Sequence, residues 1–139
     1  LDKIRKVITP NPTYSDQERD IVYSSLAYMA FLLTKCGRNV IVDATAHKRR
    51  YRDLARKLIP QFAEVYVRCP LHVCIERERS RKGGCSPKGI YEKAGKGGTV
   101  PGVDVRYEEP RRAEIVVDSG EMSIRECAER IMEVIEGWM

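Results

Sequence analysis

Three short runs, NVIVDA (39–44), FAEVYVRC (62–69) and AEIVVD (113–118), are rich in β-branched residues and separated by stretches with helical periodicity. Strands of this composition belong to sheets covered on both faces. Strands alternating with helices make a parallel sheet joined by right-handed crossovers. The pattern therefore predicts an α/β fold, a parallel β-sheet flanked by helices in three α/β/α layers. The chain has 139 residues and neither an internal repeat nor a dividing linker, so one domain over 1–139 is expected. Ligands of such sheets sit at the carboxyl ends of the strands, which directs attention to the loop after Asp43, the loop after Val67 and the neighbourhood of Leu1.

The helices are legible from their ends. A short helix DKIRKVI is stopped by TPNPTY, where two prolines force an extended loop. A long helix follows, with Ser15 and Glu18 spaced as a capping box, Ile21, Leu26, Met29, Ala30 and Leu33 as its apolar set, and Cys36-Gly37 as its end. A basic helix is expected over 50–59, a helix opened by Pro70 over 70–81, and a short helix in PKGIYEKA. A closing helix starts at a Ser123/Glu126 capping box.

Composition narrows the class. With 42% hydrophobic and 32% charged residues the chain reads as a soluble globular protein, and no apolar run approaches the roughly 20 residues that span a bilayer. The five cysteines (36, 69, 74, 85, 127) are odd in number and lack CxxC spacing, and no charged-then-apolar leader opens the chain. Reduced, mostly structural thiols in a cytoplasmic protein are expected, without a zinc site. The formal charge of +5 is concentrated in HKRRYRDLARK (47–57), which has six Lys/Arg against one Asp. Such a cluster suits a polyanionic ligand, although a solvated helix face has the same composition.

The glycine-rich stretch around SPKGIYEKAGKGG has the composition of a phosphate loop, but not its spacing. In GxxxxGK[ST] the backbone amides wrap phosphate while Lys and Ser/Thr serve phosphate and Mg2+. Gly84 and Gly89 have the glycine spacing, yet Ile90 and Tyr91 stand where Lys and Ser/Thr belong, and the pattern occurs nowhere in the 139 residues. The chain opens abruptly on LDKIR, as though a strand–loop–helix–strand unit carrying that loop preceded it.

Three constellations carry chemistry. Asp2 and Arg5 follow a predicted strand end at Leu1, a base beside a cationic clamp as phosphoryl transfer requires; a helix-start Asp with a surface Arg fits the same spacing. In VIVDATAHKRRYR a buried strand delivers Asp43 and Thr45 to its carboxyl end, resembling the second acidic site of P-loop kinases that holds Mg2+ or its waters. Arg49 and Arg52 then open the next helix, and His47 is either a substrate contact or an exposed loop histidine. Arg77 and Arg79, ahead of the glycine segment, have the makings of a closing lid over about 77–110; a surface salt-bridge helix accounts for them equally.

Taken together, these residues resemble the adenylylsulfate (APS) kinases, small P-loop kinases that use ATP to phosphorylate the 3′-hydroxyl of adenosine 5′-phosphosulfate in sulfate assimilation. LDKIR is similar to the end of the family's DGDNxR, YSDQERD to GFSxxDRxEN, EVYVRCPLHVCIER to EVYVDCPLEVCEERD, and PKGIYEKA to DPKGLYKKA. YEEPRRAEIVVDSGEMSIRECAERI is similar to YEPPxNPEIVLDTxxxSVEECVERI. The resemblance implies a P-loop kinase core with ATP and Mg2+. Asp2 would be the base, with Arg77 and Arg79 beside it in catalysis; Arg5, Tyr14, Arg19, Arg49, Arg52, Lys88 and Tyr91 would bind substrate, and Asp43 and Thr45 the metal. It also makes a homodimer the expected assembly.

Departures from the family pattern cluster at the acceptor. Val22 replaces the substrate Asn, Ala46 and His47 replace Ser and Pro of ISPYR, and VPGV, with Val100, replaces FTGI. VIVDATAHKRRYR is closer to the DAT-x-arginine pattern of other P-loop kinases, including polynucleotide 5′-hydroxyl kinases. Two alternatives therefore stay open: a kinase for another hydroxyl, such as a nucleic-acid 5′ end or a metabolite, and a non-catalytic nucleotide-binding domain.

Overall fold

The structure, a computed structural model, describes residues 1–83, 88–95 and 98–137. Its order is α1 (Asp2–Ile8), α2 (Asp16–Lys35), α3 (Arg49–Leu58), β1 (Val65–Arg68), α4 (Leu71–Ser80), β2 (Ile115–Asp118) and α5 (Ile124–Glu136). Cys85, Pro87 and the last two residues of the expected closing helix lie outside the described residues. The chain divides into two compact units, one of 1–62 with 83–109 and one of 63–82 with 110–139.

In the first unit α2 packs on α1 and α3. Its start is held by Ser15, whose hydroxyl accepts from the Glu18 amide at 3.2 Å. The reciprocal half of the expected capping box is missing, because the Glu18 carboxylate is committed to Arg5, Thr13 and Tyr14 instead. The end is a Schellman turn: Gly37 takes φ +68°, its amide donates to Thr34 O at 3.0 Å, and Arg38 N donates to Leu33 O at 3.1 Å. The buried stripe is Arg19, Val22, Tyr23, Leu26, Ala27 and Ala30. Of the expected apolar set, Leu26 and Ala30 lie on this stripe, while Ile21, Met29 and Leu33 are 53%, 37% and 48% exposed. A count of apolar residues skips Arg19, which occupies the inner face because polar partners wait for it there.

The second unit is built on a parallel pair, with Val65 opposite Ile115 and Arg68 opposite Asp118. Each strand runs directly into a helix, β1 through Pro70 into α4 and β2 through a tight turn into α5. A Cβ on Gly120 in that turn would lie 2.6 Å from Pro70 Cδ, so only glycine fits. The Ser123/Glu126 box is made in full, with Ser123 N donating to Glu126 Oε2 at 2.7 Å. β2 buries Ile115 and Val117 and exposes Val116, so one face is covered where sequence composition implied two.

Two further expectations are corrected. Residues 39–44 form no strand: Ile41 is 96% exposed, and among the described residues no ladder partner pairs with this run. A β-branched run becomes a strand only when a neighbour satisfies its backbone, so composition alone cannot make it one. The described part of PKGIYEKA is a series of turns, not a helix, with Gly89 and Gly95 in the left-handed region at φ +68° and +78°.

Candidate functional site

Most of the candidate residues fall in the first unit, around the turn that leads into α2. Glu18 is the hub of that turn. Its carboxylate accepts from Arg5 Nη1 at 2.7 Å, from Thr13 Oγ1 at 2.8 Å and from Tyr14 N at 3.1 Å. Burial works to raise its pKa, but the hydrogen bonds from Thr13 and Tyr14 and the charge of Arg5 outweigh it, and the carboxyl stays ionised below its usual range. The same bonds hold Tyr14 at φ +57°, a conformation that costs a residue with a side chain about 1 kcal/mol or more. The Arg5 guanidinium lies 5.0 Å from the centre of the Tyr14 ring.

One turn into α2, Arg19 is 5% exposed and donates from Nη2 to Thr99 O at 2.7 Å. Its Nη1 lies 3.2 Å and 3.4 Å from the ring nitrogens of His47. His47 was open between substrate contact and exposed loop residue; at 1% exposure it is neither surface nor incidental. Burial first, then the charges of Arg19 and Lys48, push its pKa down to about 4, so the imidazole is neutral at physiological pH. Tyr51 packs edge-on against it, with ring centres 5.7 Å apart.

Beneath this lies a small aromatic core. Tyr23 and Tyr51 stack at 4.2 Å, and Ala46 N donates to Tyr23 Oη at 3.0 Å. That bond helps hold Ala46 at φ +41°. Thus, among the described residues, the two non-glycine residues with left-handed backbone, Tyr14 and Ala46, fall in segments that bring candidate side chains together.

Arg49 and Arg52 are tied to the segment 106–109. Glu108 Oε2 accepts from Arg49 N at 2.8 Å and so caps α3, whose own N-cap, Lys48, offers no acceptor. Arg49 Nε donates to Glu109 O at 2.9 Å, while Arg52 reaches the carbonyls of Ala46 and Glu108. Glu108 N in turn donates to His47 O at 2.8 Å. The arginine pair therefore binds two loops together as well as presenting charge.

Asp2 stands in the first turn of α1, and Leu1 N donates to Asp43 O at 2.9 Å, which sets the backbones of the candidate base and the candidate metal ligand side by side. Asp43 and Thr45 are exposed, and among the described residues no group of three His, Cys, Asp or Glu side chains could hold a metal on its own. An exposed carboxylate with a neighbouring hydroxyl fits Mg2+, which takes one or two protein carboxylates and draws its other ligands from phosphates and water. Lys88 is exposed, and Tyr91 is half-buried in the 90–95 turns.

The remaining two candidates belong to the second unit. Arg77 donates from Nη2 to Ser119 O at 2.6 Å and from Nη1 to Ser119 Oγ at 3.3 Å, which pins α4 to the turn after β2. Arg79, on the next turn of the helix, is exposed. Sequence patterns missed the roles of Glu18, Glu108 and Asp104. The last accepts from Gly95 N at 2.7 Å and Val100 N at 2.9 Å and organises the loop that presents Thr99. Glu108 meets Arg49 across 59 residues, which leaves no local spacing to detect, whereas Glu18 and Asp104 accept from amides of neighbouring turns that have no fixed sequence pattern.

Buried guanidinium groups, a strained turn and an exposed carboxylate in one unit, and a parallel strand pair with its helices in the other, are the parts of a phosphotransferase of the P-loop kinase type. The model of the adenylylsulphate kinase family matches residues 1–118, and the chain belongs to that family. It is 41% identical over 133 residues to a probable adenylyl-sulfate kinase of Pyrococcus abyssi, covering 94% of this chain and 72% of the relative. It is 33% identical to an adenylyl-sulfate kinase of Bacillus velezensis, covering 97% of this chain and 66% of the relative. Among solved structures, the APS kinase of Mycobacterium tuberculosis in complex with AMPPNP and APS superposes with a TM-score of 0.80 at 29% identity, covering 97% of this chain and 76% of that one. A sugar kinase from Janibacter sp. shares the fold, with a TM-score of 0.68 at 21% identity.

Proposed function

We propose that this chain supplies the acceptor side of an ATP-dependent kinase that phosphorylates the 3′-hydroxyl of adenosine 5′-phosphosulfate. The observation that carries the proposal is Arg19, a buried guanidinium held by neutral partners beside the strained Tyr14, in a chain of this family.

In the reaction the acceptor oxygen attacks the γ-phosphorus of ATP, the bond to the ADP oxygen breaks, and the hydroxyl proton leaves to a base. Asp2 takes that proton. Arg5, Arg19, Arg49 and Arg52 hold the anionic and polar groups of the acceptor, and the Tyr14 ring, steadied by Arg5, stacks on its base. Lys88 and Tyr91 order on the bound substrates, and the Lys88 ammonium balances charge on the transferring phosphoryl group. Asp43, with Thr45, would hold Mg2+, which would supply positive charge to neutralise the nucleotide phosphates. The proposal includes a homodimer, supported by the family resemblance. It also includes a cytoplasmic setting, supported by the free thiols of Cys36, Cys69, Cys74 and Cys127.

The test is ADP release by the whole protein that carries this sequence, offered APS, a 5′-hydroxyl oligonucleotide or neither. Turnover dependent on APS, lost in D2N, is expected. Turnover of the oligonucleotide without turnover of APS would leave the family as a label for the fold alone.

A further inference from the structure

We propose that His47 is the residue that keeps the charge of Arg19 available to the acceptor: it fixes the guanidinium with a partner that carries no negative charge, at a place where a carboxylate would cancel it. This rests on the proposed acceptor site and adds a specificity-determining residue to it.

The cations of the first unit differ in how their charge is matched. Arg5 is paired with Glu18 at 2.7 Å, Lys48 with Asp16 at 2.7 Å, and Arg50 with Asp20 at 2.5 Å. Arg49 has the Glu108 carboxylate on its own amide. Arg19 is more buried than any of these paired cations, Arg5 included, yet among the described residues it has no carboxylate partner, only Thr99 O and the His47 ring. A buried charge left in this condition costs free energy that the fold recovers only if something else, here an anionic ligand, completes it.

His47 is suited to this part by position and by chemistry. Its ring is locked by the Tyr51 edge, its carbonyl by Glu108 N, and the residue before it by Tyr23 Oη. An imidazole never carries negative charge, so it packs against Nη1 and orients it without neutralising it. Of the five N–H groups of a guanidinium, two are then engaged, and three remain to receive oxygen atoms in a fixed plane. His47 acts through Arg19 and touches no reacting atom; it is a positioning residue.

Glutamine and glutamate have the same size and differ here in charge alone, which gives a readout that a packing role would not move. In the whole protein, H47Q should raise the KM for APS by no more than about threefold, whereas H47E should raise it by at least about tenfold. In both variants kcat and the KM for ATP should change by less than about threefold. Circular dichroism and thermal midpoints check that each variant folds. If H47E does not fold, H47L replaces it: an apolar side chain leaves Arg19 charged but unheld, and its KM for APS should exceed that of H47Q by about fivefold or more. Equal KM values for H47Q and H47E, or for H47Q and H47L where that pair is used, would overturn the inference while leaving the kinase reading intact. Absence of APS turnover in the unsubstituted protein would overturn both.

Discussion

Acid should loosen the first unit through a single imidazole. His47 is 1% exposed, and burial together with the charges of Arg19 and Lys48, opposed by Asp16 and Glu108, holds its pKa down from 6.5 to about 4. Between those two values the unfolded chain binds a proton at His47 that the folded chain refuses, so stability falls as pH falls. The contribution is fully present above pH 6.5 and is lost progressively toward pH 4. Each pH unit inside the window is worth about 1.4 kcal/mol, so acidification from pH ~6.5 to ~4.5 removes about 2 to 3 kcal/mol. That is a large part of the ~5–15 kcal/mol that holds a typical domain folded. Asp16, Glu18 and Glu108 also have lowered pKa values, and their contributions are lost only as pH falls below the ordinary carboxylate range, so pH ~5 to ~6.5 isolates the imidazole. Urea unfolding followed by the near-ultraviolet circular dichroism of the tyrosines, repeated across this window, measures the slope. H47Q should flatten it. An equal slope in H47Q, or a His47 ring proton that titrates near pH ~6.5 by NMR, would refute the reasoning.

Other perturbations separate the parts of the site. E18A leaves the Arg5 guanidinium, 8% exposed, without its partner and frees the amides of Thr13 and Tyr14, so a loss of about 3 to 5 kcal/mol is expected in chemical denaturation. Y14G relieves the left-handed backbone but removes the ring beneath Arg5, so unfolding free energy should move by less than about 1 kcal/mol while the KM for APS rises. S123A breaks the α5 capping box and should cost about 1 kcal/mol, with no change in APS turnover.

What the sequence made legible was whatever has a local cause. The ends of α2 and α5 follow from Ser15, Gly37 and Ser123, and the parallel pair from two β-branched runs each followed by a helix. Illegible features had distant causes. NVIVDA looks like a strand, but pairing is a property of two segments, and a single run cannot announce its neighbour. The inner face of α2 was legible only in part, because burial of Arg19 depends on His47, 28 residues away, and on Thr99, 80 residues away. At the site, the motif residues Arg5, Tyr14, Arg19, Arg49 and Arg52 do gather in one unit. The carboxylates that hold them, Glu18 and Glu108, read in sequence as a helix cap and an ordinary acidic loop residue.

The departures from the family pattern look different once the packing is known. Val22, which stands in place of a polar substrate contact, is 0% exposed and belongs to the inner face of α2, so the change converts a ligand position into core. An amide restored there would need partners in an apolar setting or pay a penalty of about 1 to 3 kcal/mol. Ala46 keeps a left-handed backbone that Tyr23 Oη supports from outside, so the turn no longer relies on a side chain of its own. His47 gives Arg19 a neutral ring nitrogen where the pattern has a proline, which offers no side-chain acceptor. One altered position thus turns a polar side chain into core, and another gives a buried cation a fixed partner.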